Sequence, residues 1–282
     1  RMLGYFGDET SVNALAALLK DDDPAIRDGA RRAISAISGE AANRVLADGL
    51  QATTGPDLVG TIDALAYSNA TDAAEAIVTS IRSEDPALVA SACLALGRLG
   101  YSAGMPALLS ALETAPNELR PLIESTLLRL DPDPDLVAQM ALTGSNVAIR
   151  SAAFRQLNTL DPKQADAVLG FILSEPDYNG RGRILSYAMA HGSDQAEAAI
   201  IEFLPEAPLN DQLVILAGIA ENRLSRYEPQ VLALMPTAEG ELRVALIETL
   251  GWIGSDASFQ PVYQAYLADP KELRFGVALS RL

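Results

Sequence analysis

Apolar residues recur along this chain at Leu3, Ile34, Leu65, Leu96, Leu127, Leu157, Ala188, Ile219 and Leu250, in steps of 31 residues broken once by a step of 30. A period of this length marks a repeat architecture, in which one supersecondary unit buries its apolar face only by stacking on its neighbours. Three copies also share a local signature: Leu3-Gly4-x-x-Gly7, Leu96-Gly97-x-x-Gly100 and Leu250-Gly251-x-x-Gly254.

Four positions after each anchor stand Gly7, Ser38, Asn69, Gly100, Asp131, Asp161, Gly192, Arg223 and Gly254. All but Arg223 are types that tolerate a left-handed turn or begin a helix cap, so this column is expected to separate one helix from the next. In six of the units a second break falls inside the repeat, at Asp23-Pro24, Gly55-Pro56, Asp85-Pro86, Pro116-Asn117, Ala207-Pro208 and Asp269-Pro270. Proline suits the first turn of a helix, where its missing N–H has no partner to lose. Each unit therefore reads as two helices; in the fourth, Ser102–Thr114 and then Glu118–Leu130. No stretch alternates with period two, so no strand is expected. The prediction is an all-α chain, a right-handed α-solenoid of about nine stacked helix pairs.

Units such as Asp85-Pro-Ala-Leu-Val-Ala-Ser-Ala-Cys-Leu-Ala-Leu-Gly-Arg-Leu-Gly100 and Glu241-Leu-Arg-Val-Ala-Leu-Ile-Glu-Thr-Leu-Gly-Trp-Ile-Gly254 resemble HEAT repeats, particularly the short variety of phycobilisome-lyase-like proteins. The resemblance runs through the whole chain as one repeat domain, with units at about 8–38, 39–69, 70–100, 101–131, 132–161, 162–192, 193–223, 224–254 and 255–282. Polar capping units, which usually close a solenoid, are not evident at residues 1–7 or at Lys271–Leu282. The expectation is a fragment of a longer chain, or ends covered by something else.

The 282 residues carry 37 acidic and 21 basic side chains, a net charge of −16. That balance argues against a nucleic-acid partner, because a phosphate backbone would meet net repulsion. No apolar run reaches the length of a bilayer span, so no direct membrane insertion is expected. The lone Cys93 leaves no internal disulfide framework and fits either side of a bacterial inner membrane, so the compartment, cytoplasmic or periplasmic, stays open.

The chain carries few residues arranged for chemistry. Nucleophile-elbow, P-loop, dinucleotide and zinc-helix motifs are missing from the sequence. Asp131-Pro-Asp-Pro-Asp135 begins like a calcium loop, but Leu136 and Leu142 occupy the places that need Gly and Glu. Its aspartates read as turn and cap residues, as do Asp21, Asp22 and Asp23. His191 lacks a second ligand to share a metal and reads as a structural, hydrogen-bonded histidine. Cys93 falls in a column with Ile62, Phe154, Leu185, Leu216 and Ile247, and reads as a small buried hydrophobe. No catalytic residue, metal site or cofactor is expected.

The arginines fall into two sets. Seven positions before the anchors stand Arg27, Arg120, Arg150, Arg181 and Arg243, with Leu58, Val89 and Gln212 as departures. By resemblance to HEAT repeats, this set implies an interrupted Asp/Arg ladder tying neighbouring units together. The second set lies two positions before and two after the anchors, four residues apart on one face of the second helix. Those columns are too polar and varied for a core, and the resemblance implies that second helices line the concave surface. Arg32, Arg98, Arg129 and Arg155, with Arg183 one turn back, would form a basic stripe flanked by Tyr67 and Trp252. Aromatics are concentrated towards the C-terminus, where Tyr178, Tyr187, Tyr227, Phe259, Tyr263 and Tyr266 suggest a second contact surface.

The expected function is a non-enzymatic interaction scaffold or adaptor that binds another protein, including an acidic segment, on the concave face, within a larger assembly. The alternative, suggested by the repeat subtype, is a bilin lyase or chromophore chaperone whose arginines hold propionates. A DNA-repair HEAT enzyme is disfavoured by the charge.

Overall fold

The computed structural model describes residues 8–37 and 39–282. The Leu3-Gly4-x-x-Gly7 signature, Tyr5 and Ser38 lie outside the described residues. Among those described there are 18 α-helices and no strand. The fold is an α-solenoid built of helix pairs.

Two compact units emerge, residues 1–133 with 144–149, and residues 134–143 with 150–282. The first contains the pairs α1 (Glu9–Leu18) and α2 (Pro24–Ile37), α3 (Glu40–Ala52) and α4 (Gly55–Tyr67), α5 (Ala74–Val78) and α6 (Pro86–Leu99), and α7 (Met105–Thr114) and α8 (Arg120–Arg129). Short 3-10 turns at Thr71–Ala73 and Thr79–Arg82 flank α5. The second unit holds α9 (Pro134–Thr143), most of α10 (Val147–Leu160), and the pairs α11 (Pro162–Ser174) and α12 (Arg181–His191), α13 (Asp194–Phe203) and α14 (Leu209–Glu221), α15 (Glu228–Leu234) and α16 (Gly240–Ile253), and α17 (Asp256–Ala268) and α18 (Leu273–Leu279).

The anchor column is the core. Ile34, Leu65, Leu96, Leu127, Leu157, Ile219 and Leu250 are fully buried and Ala188 is 2% exposed. Removing one such Leu or Ile side chain from water contributes about 1.5–3 kcal/mol, a contribution that recurs at each described anchor except Ala188.

The turn column divides into three solutions. Asn69, Gly100, Asp131 and Arg223 adopt left-handed backbone, with φ between 51° and 65°. Asp161 instead caps the next helix, accepting from the Gln164 N–H at 3.1 Å. Gly192 and Gly254 keep negative φ; a Cβ at either would fall 2.5 Å from the carbonyl oxygen of Ala188 or Leu250. In the fourth unit the second helix starts at Arg120, two residues later than the sequence suggested, and Ser102–Gly104 is a 3-10 turn. Pro121 explains the late start: lacking an N–H, it fits only within the first turn.

From α2 through α8 in the first unit, and from α12 through α18 in the second, successive second helices lie against one another along more of their length than successive first helices do. Glycine permits this. A Cβ on Gly251 would sit 2.6 Å from the Cα of Ala278, and one on Gly218 would sit 3.0 Å from the Met189 Cβ. The second helices thereby form the tighter layer, with their remaining face turned to solvent.

Candidate partner-binding surface

That solvent face is the one carrying the second arginine set. In the column two residues after the anchors, every described position from Ala36 to Trp252 is exposed, and none of the column two before them is buried. In the first unit Tyr67 is 60% exposed, and the Arg98 guanidinium lies over its ring at 5.4 Å from the centroid. Leu94, one turn before Arg98, is 53% exposed. Arg129 lays its stem beside Gly97, where a Cβ would stand 3.7 Å from its Cδ. Neither Arg98 nor Arg129 forms an ion pair among the described residues. Arg32 differs, pairing with Asp28 one turn back on its own helix.

In the second unit Arg155 and Arg183 are exposed and form no ion pair among the described residues. Trp252, 39% exposed, is contacted by the guanidinium groups of Arg223 and Arg281, at 4.4 and 3.6 Å from the ring centroid. The sequence reading missed both arginines. Arg223 carried a signal, since it broke the turn column; Arg281 carried none. Of the C-terminal aromatics, Phe259 and Tyr263 stack on each other at 6.0 Å on the exposed side of α17. Tyr178 is held internally, donating to the Ala141 carbonyl at 2.5 Å; burial, outweighing the nearby Arg150, pushes its hydroxyl up to about 12.

The first arginine set does two jobs. Arg27 pairs with Asp57 at 2.8 Å and Arg181 with Asp211 at 2.7 Å, each joining successive second helices. Arg120 instead donates to the Leu112 carbonyl at 2.9 Å, and Gln212, in the same column, to that of Leu204 at 3.1 Å. Both satisfy carbonyls at the end of the preceding first helix, the groups a helix C-terminus leaves unpaired. Arg150 donates to the Asn179 carbonyl in the next repeat. Arg243 forms no ion pair among the described residues. The ladder is short because its acids are scarce. Asp57 and Asp211 are the carboxylates that stand immediately before the arginine column, where Leu88, Leu119, Ile149, Gly180 and Leu242 stand elsewhere.

Two further features escaped the sequence reading. Asp135, Asp166, Glu197 and Glu228 stand 31 residues apart near the starts of first helices. They accept from Gln164 (2.8 Å), Ser193 (2.8 Å), Arg226 (3.0 Å) and Ser255 (3.0 Å) at the start of the next first helix. Burial raises the Glu228 carboxyl, but the hydrogen bonds from Ser258 and Ser255 leave it below the usual glutamate value. The column of Cys93 also contains two buried charges, Arg31 and Glu124. Arg31 donates to Asp57 at 2.8 Å in space left by Gly60, and Glu124 accepts from the Ser145 N–H at 3.1 Å.

His191 is exposed and stacks on Tyr187 with ring centroids 4.7 Å apart, its Nδ1 facing the Tyr187 carbonyl at 3.3 Å. Cys93 is fully buried. Among the described residues no group of three His, Cys, Asp or Glu side chains is placed to hold a metal ion, and no helix is long and apolar enough to cross a membrane.

A family model of HEAT repeats matches residues 1–61 and 59–127. Residues 1–127 carry HEAT repeats. Among solved structures it is similar to a chain from the structure of Kap95p with RanGDP, at 13% identity and a TM-score of 0.62, covering 97% of this chain and 43% of that one. It is similar also to a chain of the AP-3 complex in a homology model of an intermediate open conformation, at 14% identity and a TM-score of 0.59, covering 95% and 55%. A third likeness is to the CpcE–CpcF complex of phycocyanin lyase from a Nostoc species, at 17% identity and a TM-score of 0.44, covering 86% and 94%. This chain thus spans roughly half the length of the first two. At these identities the likeness is one of fold. No curated protein matches the chain.

Proposed function

We propose that this chain is a non-enzymatic protein-interaction scaffold that takes a partner on the solvent face of its second helices, with Tyr67, Leu94, Arg98 and Arg129 as the anchoring group of the first unit. The observation carrying this reading is the exposed Arg98–Tyr67 contact. The ring face attracts the guanidinium without taking up its N–H donors in an ion pair, and Arg and Tyr are side chains that dominate interface hot spots. In a molecule with 37 acidic residues these arginines form no ion pair among the described residues, so the local charge is opposite to the net −16 and favours an acidic segment of a protein partner. Arg155 and Arg183 offer the same chemistry within the second unit; Arg32, already paired with Asp28, contributes less. Kap95p binds RanGDP, and the AP-3 chain works within a complex, so the fold serves protein contacts in both.

The test is native mass spectrometry of the full-length protein captured gently from its own cells, repeated with Arg98→Glu combined with Arg129→Glu. A stoichiometric protein partner is expected, lost in the double reversal while helicity and Tm stay nearly unchanged. Retention of the partner by the variant would remove this surface from the reading. A bound mass of a few hundred daltons with visible absorbance, in place of a protein, would make the chain a ligand carrier or bilin lyase.

A further inference from the structure

The structure assigns a second recognition site to the second unit: Arg223, Trp252 and Arg281 form a clamp for the carboxylates of an extended acidic peptide segment. This deepens the scaffold reading and rests on it. Trp252 presents its indole from the solvent face of α16, and the two guanidinium groups come from loops on either side of that helix in the repeat order, after α14 and after α18. Their distances to the ring centroid keep the two guanidinium carbons within about 8 Å of each other. Neither arginine has a carboxylate at ion-pair distance among the described residues, although Arg226, three residues from Arg223, pairs with Glu197. Glu221 and Glu248 occupy the solvent columns beside Trp252 without pairing to either arginine.

Backbone strain supports the assignment independently. Arg223 holds φ at 53° in a register where the sequence otherwise supplies Gly, Ser, Asn or Asp. A long side chain is disfavoured in that conformation, and such outliers gather where a side chain has a task. The conformation aims Arg223 at the indole of the next repeat. Both guanidinium groups lie over the indole, and among the described residues no ion pair takes up their N–H forks, which can receive a carboxylate in two parallel hydrogen bonds. Alternate residues of an extended chain point the same way about 7 Å apart, a spacing that two such forks can meet with successive Asp or Glu side chains.

Trp252 is the sole tryptophan of the chain, so its emission reports this site alone. The full chain is titrated at low salt with hexaglutamate, with hexaglutamine and with inorganic phosphate. A saturable change in emission is expected for hexaglutamate only, weakened roughly tenfold by either Arg223→Gln or Arg281→Gln. Arg223→Gly, which suits the left-handed backbone, serves as the second variant should Arg223→Gln disturb folding, and circular dichroism checks each. Silence towards hexaglutamate, an equal response to hexaglutamine, or undiminished binding in the folded arginine variants would overturn the site. Saturation by phosphate alone would make it an anion site and overturn the peptide assignment. The pair Arg98→Glu with Arg129→Glu must leave this titration unchanged. If that pair abolishes partner capture while hexaglutamate stays silent, the clamp fails and the scaffold reading stands; a working clamp with capture unaffected by the pair gives the reverse.

Discussion

Arg181 reaches Asp211, thirty residues further on, at 2.7 Å, with both side chains withdrawn from solvent. The same guanidinium donates to the Ile172 carbonyl at 3.1 Å and to the carbonyls of Glu175 and Pro176. One side chain thus closes the end of its own repeat's first helix and joins two second helices. Each guanidinium nitrogen donates at least once, which is the condition under which a buried charge is tolerated.

Asp211→Ala should therefore cost far more than a surface change, about 3–5 kcal/mol, because it strands a buried cation. Replacing both partners, Arg181→Met with Asp211→Leu, should cost markedly less. Thermal and denaturant melts of the two variants decide it, and equal destabilisation would contradict the argument.

The pair formed by Arg27 and Asp57 sets a pH dependence. The hydrogen bond from Arg27, and next to it that from Arg31, holds the Asp57 carboxyl below its ordinary value despite burial. A depressed folded pKa gives stability that is complete above the unfolded value of about 3.9 and is lost as pH falls through the lower folded value. Asp57→Asn should remove that component, so its stability should fall less steeply than the wild type's below about pH 4. Acid titrations followed by circular dichroism compare the slopes.

Cys93 is fully buried, and burial pushes its thiol up to about 12. A disulfide reagent at pH 8 should leave the native chain unlabelled and modify one thiol after denaturation. Rapid labelling of the native chain would contradict its packing.

Gly251→Ala forces a Cβ to 2.6 Å from the Cα of Ala278, a backbone atom that cannot swing aside. The expected cost is about 1–3 kcal/mol of overpacking, whereas Gly170→Ala, with open space at its Cβ, should not destabilise. Melting the two variants side by side tests whether the close approach of second helices depends on glycine.

Sequence periodicity made the anchor column, the helix pairs and the solvent columns legible, because each repeat sees the same neighbours and so asks the same residue type of the same position. Asn69, Gly100 and Asp131 announced left-handed turns for the same reason. The carboxylates at Asp135, Asp166, Glu197 and Glu228 were equally periodic, yet they acquire meaning only with their donors, which stand elsewhere in the register.

By itself the sequence determined the repeat, its helices and which faces meet solvent, since those follow from local propensity and a period repeated along the chain. Only the tertiary structure decided what each arginine holds. Arg27 and Arg181 find aspartates, Arg120 finds a carbonyl, and Arg223 and Arg281 converge on Trp252. The physical reason is that a guanidinium reaches several ångströms from its own helix, so its partner is chosen by what the adjoining repeat brings within that reach.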